Sequence, residues 1–128
     1  MNFKILVPAY NAERYIGDLL HKFTEMGLLD RVVVVDDGSK DRTLQICKDR
    51  KVTVLSNKTN GGKGSALKKG FKYMIENIIE FFLTIDSDLQ HDVKFIPDFI
   101  KKYEETKADI IVGDRLGDTT TMPIERIF

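Results

Sequence analysis

Apolar positions along this chain follow two alternating periods. "FKILVP" (3–8), "RVVVVD" (31–36), "VTVLS" (52–56), "FFLTID" (81–86) and "DIIVG" (109–113) are apolar runs of strand length, most of them bounded by turn residues. Between them apolar residues recur at helical spacing over about 13–26, about 41–50, Lys63–Glu80 and Val93–Thr106, and Gly27 marks the first helix stop. "VVVV" and "IIV" are apolar on both faces, as strands are when helices cover both sides of a mainly parallel sheet. The pattern predicts a single α/β domain over 1–128, three layers thick, with β and α units in alternation. Only the tail "GDTTTMPIERIF" loses the period and has no evident place in the sheet.

In open α/β sheets ligands bind beyond the carboxyl ends of the strands, where loops converge and helix N-termini offer free N–H groups. The polar residues of this chain gather at those positions: "PAYNAE", "DDGSKDRT", "SNKTNGGKGSA", "DSDLQHD" and "GDRLG" each follow a strand. Side chains alternate along a strand, so Asp36 and Asp37 cannot share a face. Asp36 is expected to tie down the turn that Gly38 permits, with Ser39 or Asp41 capping the next helix, and Asp37 to meet a ligand. "NGGKGSA" places Gly61, Gly62, Gly64 and Lys63 at a helix start, which suits a phosphate cradle and a tight structural turn equally; it matches no named phosphate loop. Lys68, Lys69 and Lys72 read as a solvated helix face.

"DSDLQHD" is the densest acid in the chain. In an extended segment Asp86, Asp88 and Gln90 project to one side and Ser87 and Leu89 to the other. Three hard oxygen donors on one face suit Mg²⁺ or Mn²⁺, which commonly hold a substrate phosphate through one or two protein carboxylates. Asp92 stands where a helix N-cap is expected, and His91 reads equally as a loop-shaping or a substrate-facing residue.

Composition narrows the partners. The 128 residues are 42% apolar, enough for a real core, and carry twenty basic and twenty acidic side chains, so nothing points to nucleic acid or an anionic membrane surface as the main partner. The one cysteine, Cys47, has no internal partner for a disulfide or a thiolate metal site, and reads as a small apolar filler in a reducing compartment. The N-terminus lacks a signal-peptide pattern and no apolar run reaches a membrane span, which makes the cytoplasm the expected location.

Taken together and in this order, "PAYNAE", "VVVVDDGSKDRT", "NGGKGSALKKGF", "DSDLQHD" and "IIVGDR" resemble the family 2 glycosyltransferases and their GT-A nucleotide-diphospho-sugar fold, most of all the polyprenyl-phosphate (dolichol-phosphate) sugar transferase branch. The likeness covers essentially the whole chain. It implies that Pro8, Ala9 and Tyr10 wall the nucleotide base and that Asp37 contacts it. It further implies that Asp86 and Asp88 handle the ribose and the diphosphate-bound metal with Gln90 beside them, and that Arg115 stands near the diphosphate or acceptor. Glu13, Val35, Gly62, Lys63 and Ser87 fall among the implied donor contacts. Many members of that branch carry glutamate directly after the asparagine of the first motif; here Ala12 follows Asn11 and the acid is Glu13. The family fold continues past "GDR" into an acceptor side, so the resemblance implies the nucleotide-sugar portion of a longer enzyme, which at the cytoplasmic membrane face would use a lipid phosphate. The implied reaction is inverting, metal-assisted transfer of a sugar from a GDP- or UDP-sugar to a polyprenyl or dolichyl phosphate. The alternative is a fragment that binds the nucleotide-sugar and catalyses nothing. A receiver-type signalling domain would place its acid pair after the first strand, and a nucleotidyltransferase its glycine loop; this chain does neither.

Overall fold

A computed structural model describes residues 2–87 and 93–107, together with the backbone of the short strands Ile111–Gly113 and Ile124–Arg126. The chain divides into two compact units, Met1–His91 and Asp92–Phe128.

The first unit is built on four strands, β1 (Phe3–Ala9), β2 (Val32–Asp37), β3 (Thr53–Asn57) and β4 (Phe81–Thr84), all parallel and in the order β3-β2-β1-β4. Three helices connect them: α1 (Ile16–Glu25), α2 (Thr43–Asp49) and α3 (Lys63–Glu76). The register pairs Val7 with Val34 and Ala9 with Asp36, so β1 and β2 end together. β1 is central yet contains Pro8. In a strand the N–H and C=O of one residue point the same way, and Leu6 O accepts from Ile85 N on the β4 side. Pro8 therefore turns its nitrogen toward β4, beyond the last β1–β4 pair at Leu6–Thr84, where no ladder bond is lost.

Alternation sorts the strand residues onto two faces. Leu6, Val33 and Val35 pack with Ala66 and Met74 of α3, all five essentially excluded from solvent. Ile5, Val7, Val32 and Val34 are equally buried and, by period, belong to the opposite face. Cys47 of α2 is buried near enough to Asp36 to feel its charge, which puts α2 on that second face. Burial, with the Asp36 charge adding to it, pushes the Cys47 thiol up to about 11, so it is a protonated apolar filler, as its place in the sequence suggests.

The contact of α3 with β1 is close. A Cβ on Gly70 would stand 2.5 Å and 2.6 Å from the two terminal methyls of the fully buried Leu6. Gly70→Ala should therefore destabilise the chain by about 1–3 kcal/mol through overpacking, although alanine is intrinsically the better helix former by about 1 kcal/mol. Urea unfolding checks the sign, and a stabilised variant would mean that Leu6 yields.

Two helices differ from their expected spans. α3 stops at Glu76, not Glu80: Asn77 Nδ2 donates to Tyr73 O (2.8 Å), Ile78 takes a left-handed conformation (φ 54°), and Ile79 N donates back to Met74 O (3.0 Å). The Asn2 side chain donates to Ile78 O (3.0 Å), and Glu80 N donates to Asn2 O (3.0 Å), fastening that ending to the start of β1. α1 begins at Ile16, not near residue 13: Tyr15 N and Ile16 N both donate to Ala12 O (2.9 and 2.8 Å) in a turn ahead of the helix, and the amides of residues 11–13 are bonded to Ser39, Thr43 and Asp41.

In the second unit a 3-10 turn (Val93–Phe95) leads into α4 (Ile96–Thr106), which ends on Lys107 in the left-handed region. β5 (Ile111–Gly113) pairs antiparallel with β6 (Ile124–Arg126) in a sheet of its own. β6 lies in the tail that the periodicity left without structure; three residues are too few to carry a period. No helix among the described residues is long and apolar enough to cross a membrane.

Candidate functional site

The carboxyl ends of β1, β2 and β4 bring Tyr10, Glu13, Asp37, Asp86 and Ser87 to one edge of the sheet, with the glycine loop 60–62 beside them. Of the five strand-end motifs, those after β1, β2, β3 and β4 meet at this edge; β5 belongs to another sheet, and the residues of "GDRLG" that follow it lie outside the described residues. The residues at the edge differ widely in what they present.

Asp36 and Asp37 go to opposite faces, as period 2 requires. Asp36 Oδ1 accepts from Ser39 N (3.3 Å), the expected tie across the turn at Gly38. That turn is tight: Gly38 has φ 75°, and a Cβ there would meet the backbone of Thr59 at 2.6 Å and of Asn60 at 2.7 Å, so the loops after β2 and β3 touch through it.

Asp37 is 3% exposed and its carboxylate is already engaged. Oδ1 accepts from Asn57 Nδ2 (2.8 Å) and Gly61 N (3.2 Å), and Oδ2 accepts from Gly62 N (2.8 Å). Burial pushes this carboxyl up; the bonds from Asn57, Gly61 and Gly62 outweigh it and hold the group below the ordinary carboxylate range. Two of the loop N–H groups that suggested a phosphate cradle thus meet an internal anion. Of the two readings of "NGGKGSA", the described bonds match the structural turn, since a side-chain carboxylate occupies the nest.

Asp41, half-buried, takes the helix-start N–H that either it or Ser39 was expected to take: Oδ1 accepts from Thr43 N (2.9 Å) and from the Thr43 hydroxyl (2.5 Å). Burial raises its carboxyl, and the bonds from Thr43 and from the Glu13 N–H bring it below the usual range.

Of the expected base wall, Pro8 and Ala9 are buried and Tyr10 is 44% exposed, so Tyr10 is the part that faces solvent. Glu13 and Gly62 are exposed; Asp86 and Ser87 are half-buried at the end of β4. Val35 requires a correction. Its side chain is fully buried against Leu6, Val33, Ala66 and Met74, where it fills the core and presents nothing to a donor. The reason is register: two residues before Asp37 on the same face, it falls under α3 instead of beyond it. Asp88, Gln90, His91, Asp92 and Arg115 lie outside the described residues, as does the side chain of Lys63. Among the described residues no cluster of three acids, histidines or cysteines could hold a metal unaided. Asp86 is a single hard oxygen donor at a strand end, which fits Mg²⁺ or Mn²⁺ when a diphosphate supplies further ligands.

Sequence reasoning overlooked Asn11. It adopts φ 48°, its N donates to Ser39 Oγ (2.8 Å), and its Oδ1 accepts from Lys40 N (2.9 Å). The asparagine in a strand-end loop was the available signal, since asparagine is the non-glycine residue best suited to the left-handed region.

The chain is similar to known proteins along most of its length. It is 38% identical over 117 residues to the uncharacterized protein MJ0544 of Methanocaldococcus jannaschii, covering 86% of this chain and 50% of that one. The solved structure of S. aureus TarS 1-349 matches with a TM-score of 0.69 at 32% identity, over 87% of this chain and 34% of that one. Glucosyl-3-phosphoglycerate synthase of Mycobacterium tuberculosis, crystallised with Mn²⁺, UDP-glucose and phosphoglyceric acid, matches with a TM-score of 0.64 at 23% identity, over 82% of this chain and 40% of that one, a likeness of fold. The chain thus spans about half the length of the curated relatives it matches. The alternating parallel α/β architecture is that of the GT-A glycosyltransferases. Residues 4–121 match glycosyl transferase family 2, and the chain belongs to that family.

Proposed function

We propose that this chain binds the donor of a sugar transfer, a UDP- or GDP-sugar, and that the protein carries the sugar to a polyprenyl or dolichyl phosphate with inversion. The observation that carries the reading is the meeting of Tyr10, Glu13, Asp37, Asp86 and Ser87 at one end of a parallel sheet in a family 2 chain. The M. tuberculosis synthase, whose crystals hold Mn²⁺ and UDP-glucose, supports a metal and a nucleotide-sugar in such a fold.

Tyr10 offers a ring against which a base stacks. Asp37 carries two internal bonds on Oδ1 and one on Oδ2, so Oδ2 retains capacity to accept from a base N–H. Asp86, with Asp88 and Gln90 after it, would hold Mg²⁺ or Mn²⁺ against the diphosphate, while Glu13, Gly62, Lys63 and Ser87 complete the donor contacts and Arg115 stands toward the diphosphate or acceptor. The bound metal supplies Lewis-acid stabilisation of the charge that builds on the leaving diphosphate. In the transfer an acceptor oxygen bonds to the anomeric carbon on the face opposite the diphosphate; the bond to the diphosphate breaks and its electron pair leaves with that group. A lipid phosphate is already ionised near neutral pH and needs no strong base. The assembly works at the cytoplasmic face of the membrane.

Thermal melts with UDP-glucose or GDP-mannose, with and without Mn²⁺, test the donor reading. At 100-fold excess over Kd a bound donor adds about 2.7 kcal/mol of apparent stability, and the stabilisation should require the metal. No shift with either donor would refute it. Incubation with radiolabelled donor and polyprenyl phosphate then separates transfer from binding alone, the latter being expected if residues of the longer relatives supply the acceptor site.

A further inference from the structure

Three successive backbone N–H groups after β1 are each taken by a side chain of the loop after β2 or of the first residue of α2. Asn11 N donates to Ser39 Oγ (2.8 Å), Ala12 N to Thr43 Oγ1 (2.8 Å) and Glu13 N to Asp41 Oδ2 (3.1 Å). The return bond runs from Lys40 N to Asn11 Oδ1 (2.9 Å). Asp41 also accepts from the Thr43 hydroxyl, orienting it so that its lone pairs face Ala12 N. Asp41 is thus the hub: one oxygen holds Glu13 directly and the other aims the hydroxyl that holds Ala12.

The lacing does more than close a turn. These N–H groups lie just ahead of α1, where Tyr15 N and Ile16 N both donate to Ala12 O (2.9 and 2.8 Å); held here, they fix the path by which the chain enters the helix. Asn11 is left at φ 48°, a conformation that persists where the surroundings over-determine it, and such residues cluster at ligand sites. Tyr10 stands immediately before Asn11 and Glu13 two residues after it, both exposed, and both among the proposed donor contacts. None of the lacing side chains is itself one of those contacts.

We propose that Asp41, acting with Ser39 and Thr43, is a positioning residue for the donor: by gripping the amides of residues 11–13 it sets Tyr10 and Glu13 before the nucleotide arrives. The inference rests on the donor reading above. Preorganisation of this kind lowers the ordering cost paid on binding, so its loss appears as weaker donor affinity in a protein that is still folded.

The test uses Asp41→Asn and Ser39→Ala, with Ser39→Thr as the conservative rescue and Arg31→Ala as a stability control. Arg31, at the opposite end of the sheet, lies over the Phe3 ring at 4.1 Å and donates to Phe3 O (3.1 Å), so its loss lowers Tm away from the site. Calorimetric titration with UDP-glucose and GDP-mannose in Mn²⁺, well below every Tm, should show about 10-fold weaker binding for Asp41→Asn, a smaller loss for Ser39→Ala, recovery in Ser39→Thr and no change in Arg31→Ala. Hydrogen exchange, free of any ligand, should show the amides of Ala12 and Glu13 about 10-fold less protected in Asp41→Asn. Unchanged affinity in Asp41→Asn and Ser39→Ala, with wild type binding normally, overturns the positioning role alone. Equal amide exchange in wild type and Asp41→Asn overturns the lacing beneath it. If wild type binds neither donor, the donor reading falls and takes the positioning role with it.

Discussion

Asp37→Ala should lower the stability of the chain by about 3 kcal/mol, enough to drop Tm by roughly 10 °C or more. Three donors lose one acceptor at once: Asn57 Nδ2, Gly61 N and Gly62 N. Hydrogen bonds to a charged group are worth about 1.5–3 kcal/mol each, and the sum is held down because Gly61 and Gly62 are exposed and water reaches them. Gly62 N also keeps Asn60 Oδ1 at 2.8 Å. Asp37→Asn should fall between, since its amide retains one acceptor but turns a donor toward another N–H.

The same carboxylate gives the effect a pH signature. The Asp37 and Asp41 carboxyls lie below their ordinary value in the folded chain, so at acid pH the unfolded chain binds more protons. Their contribution is fully present above the unfolded carboxylate value of about 3.9 and is lost as pH falls through the lower folded values. Thermal melts from neutral pH to about pH 2.5 should therefore show the gap between wild type and Asp37→Asn narrowing below about pH 4. A constant gap would mean that the charge on Asp37 contributes nothing.

Asp86→Ala should abolish the Mn²⁺-dependent part of donor binding while leaving the fold intact. Asp86 is half-buried, one residue past Ile85, whose N–H makes the last bond of β4 to β1. Removing one of the few protein ligands of a metal that keeps most of its coordination to phosphate and water removes the link between protein and ion, so the loss should be near complete. Asp88→Ala should behave alike. Donor affinity unchanged in Asp86→Ala would sink the assignment of the metal to this strand end, whatever the stability of the variant.

How much of this was legible in the sequence depends on how local the determining contacts are. β1 and β2 were readable because burial on two faces leaves continuous apolar runs, β3 and β4 as short apolar runs of strand length, and the three helices of the first unit because burial on one face leaves a 3.6-residue period. The opposite facing of Asp36 and Asp37 followed from strand geometry. Helix ends were less readable. The amides leading into α1 are held by Ser39, Asp41 and Thr43 from 28 to 31 residues away, and the end of α3 is fastened where Asn2 meets Ile78 across 76 residues. No window of a dozen residues contains either contact.

The candidate site shows the same division. Its chemistry, acids and glycines at strand ends in an order resembling family 2, stood in the sequence. The occupation of the glycine loop did not: Gly61 and Gly62 advertise free N–H groups in any local reading, and only the approach of β2 reveals that Asp37 takes them. Val35 belongs to the motif by sequence and to the core by register. The sequence by itself determined the α/β class, the edge at which polar residues gather and the family. The tertiary structure decided which of those polar groups bind one another and which remain open, because hydrogen bonds between distant loops obey distance in space and leave no period along the chain.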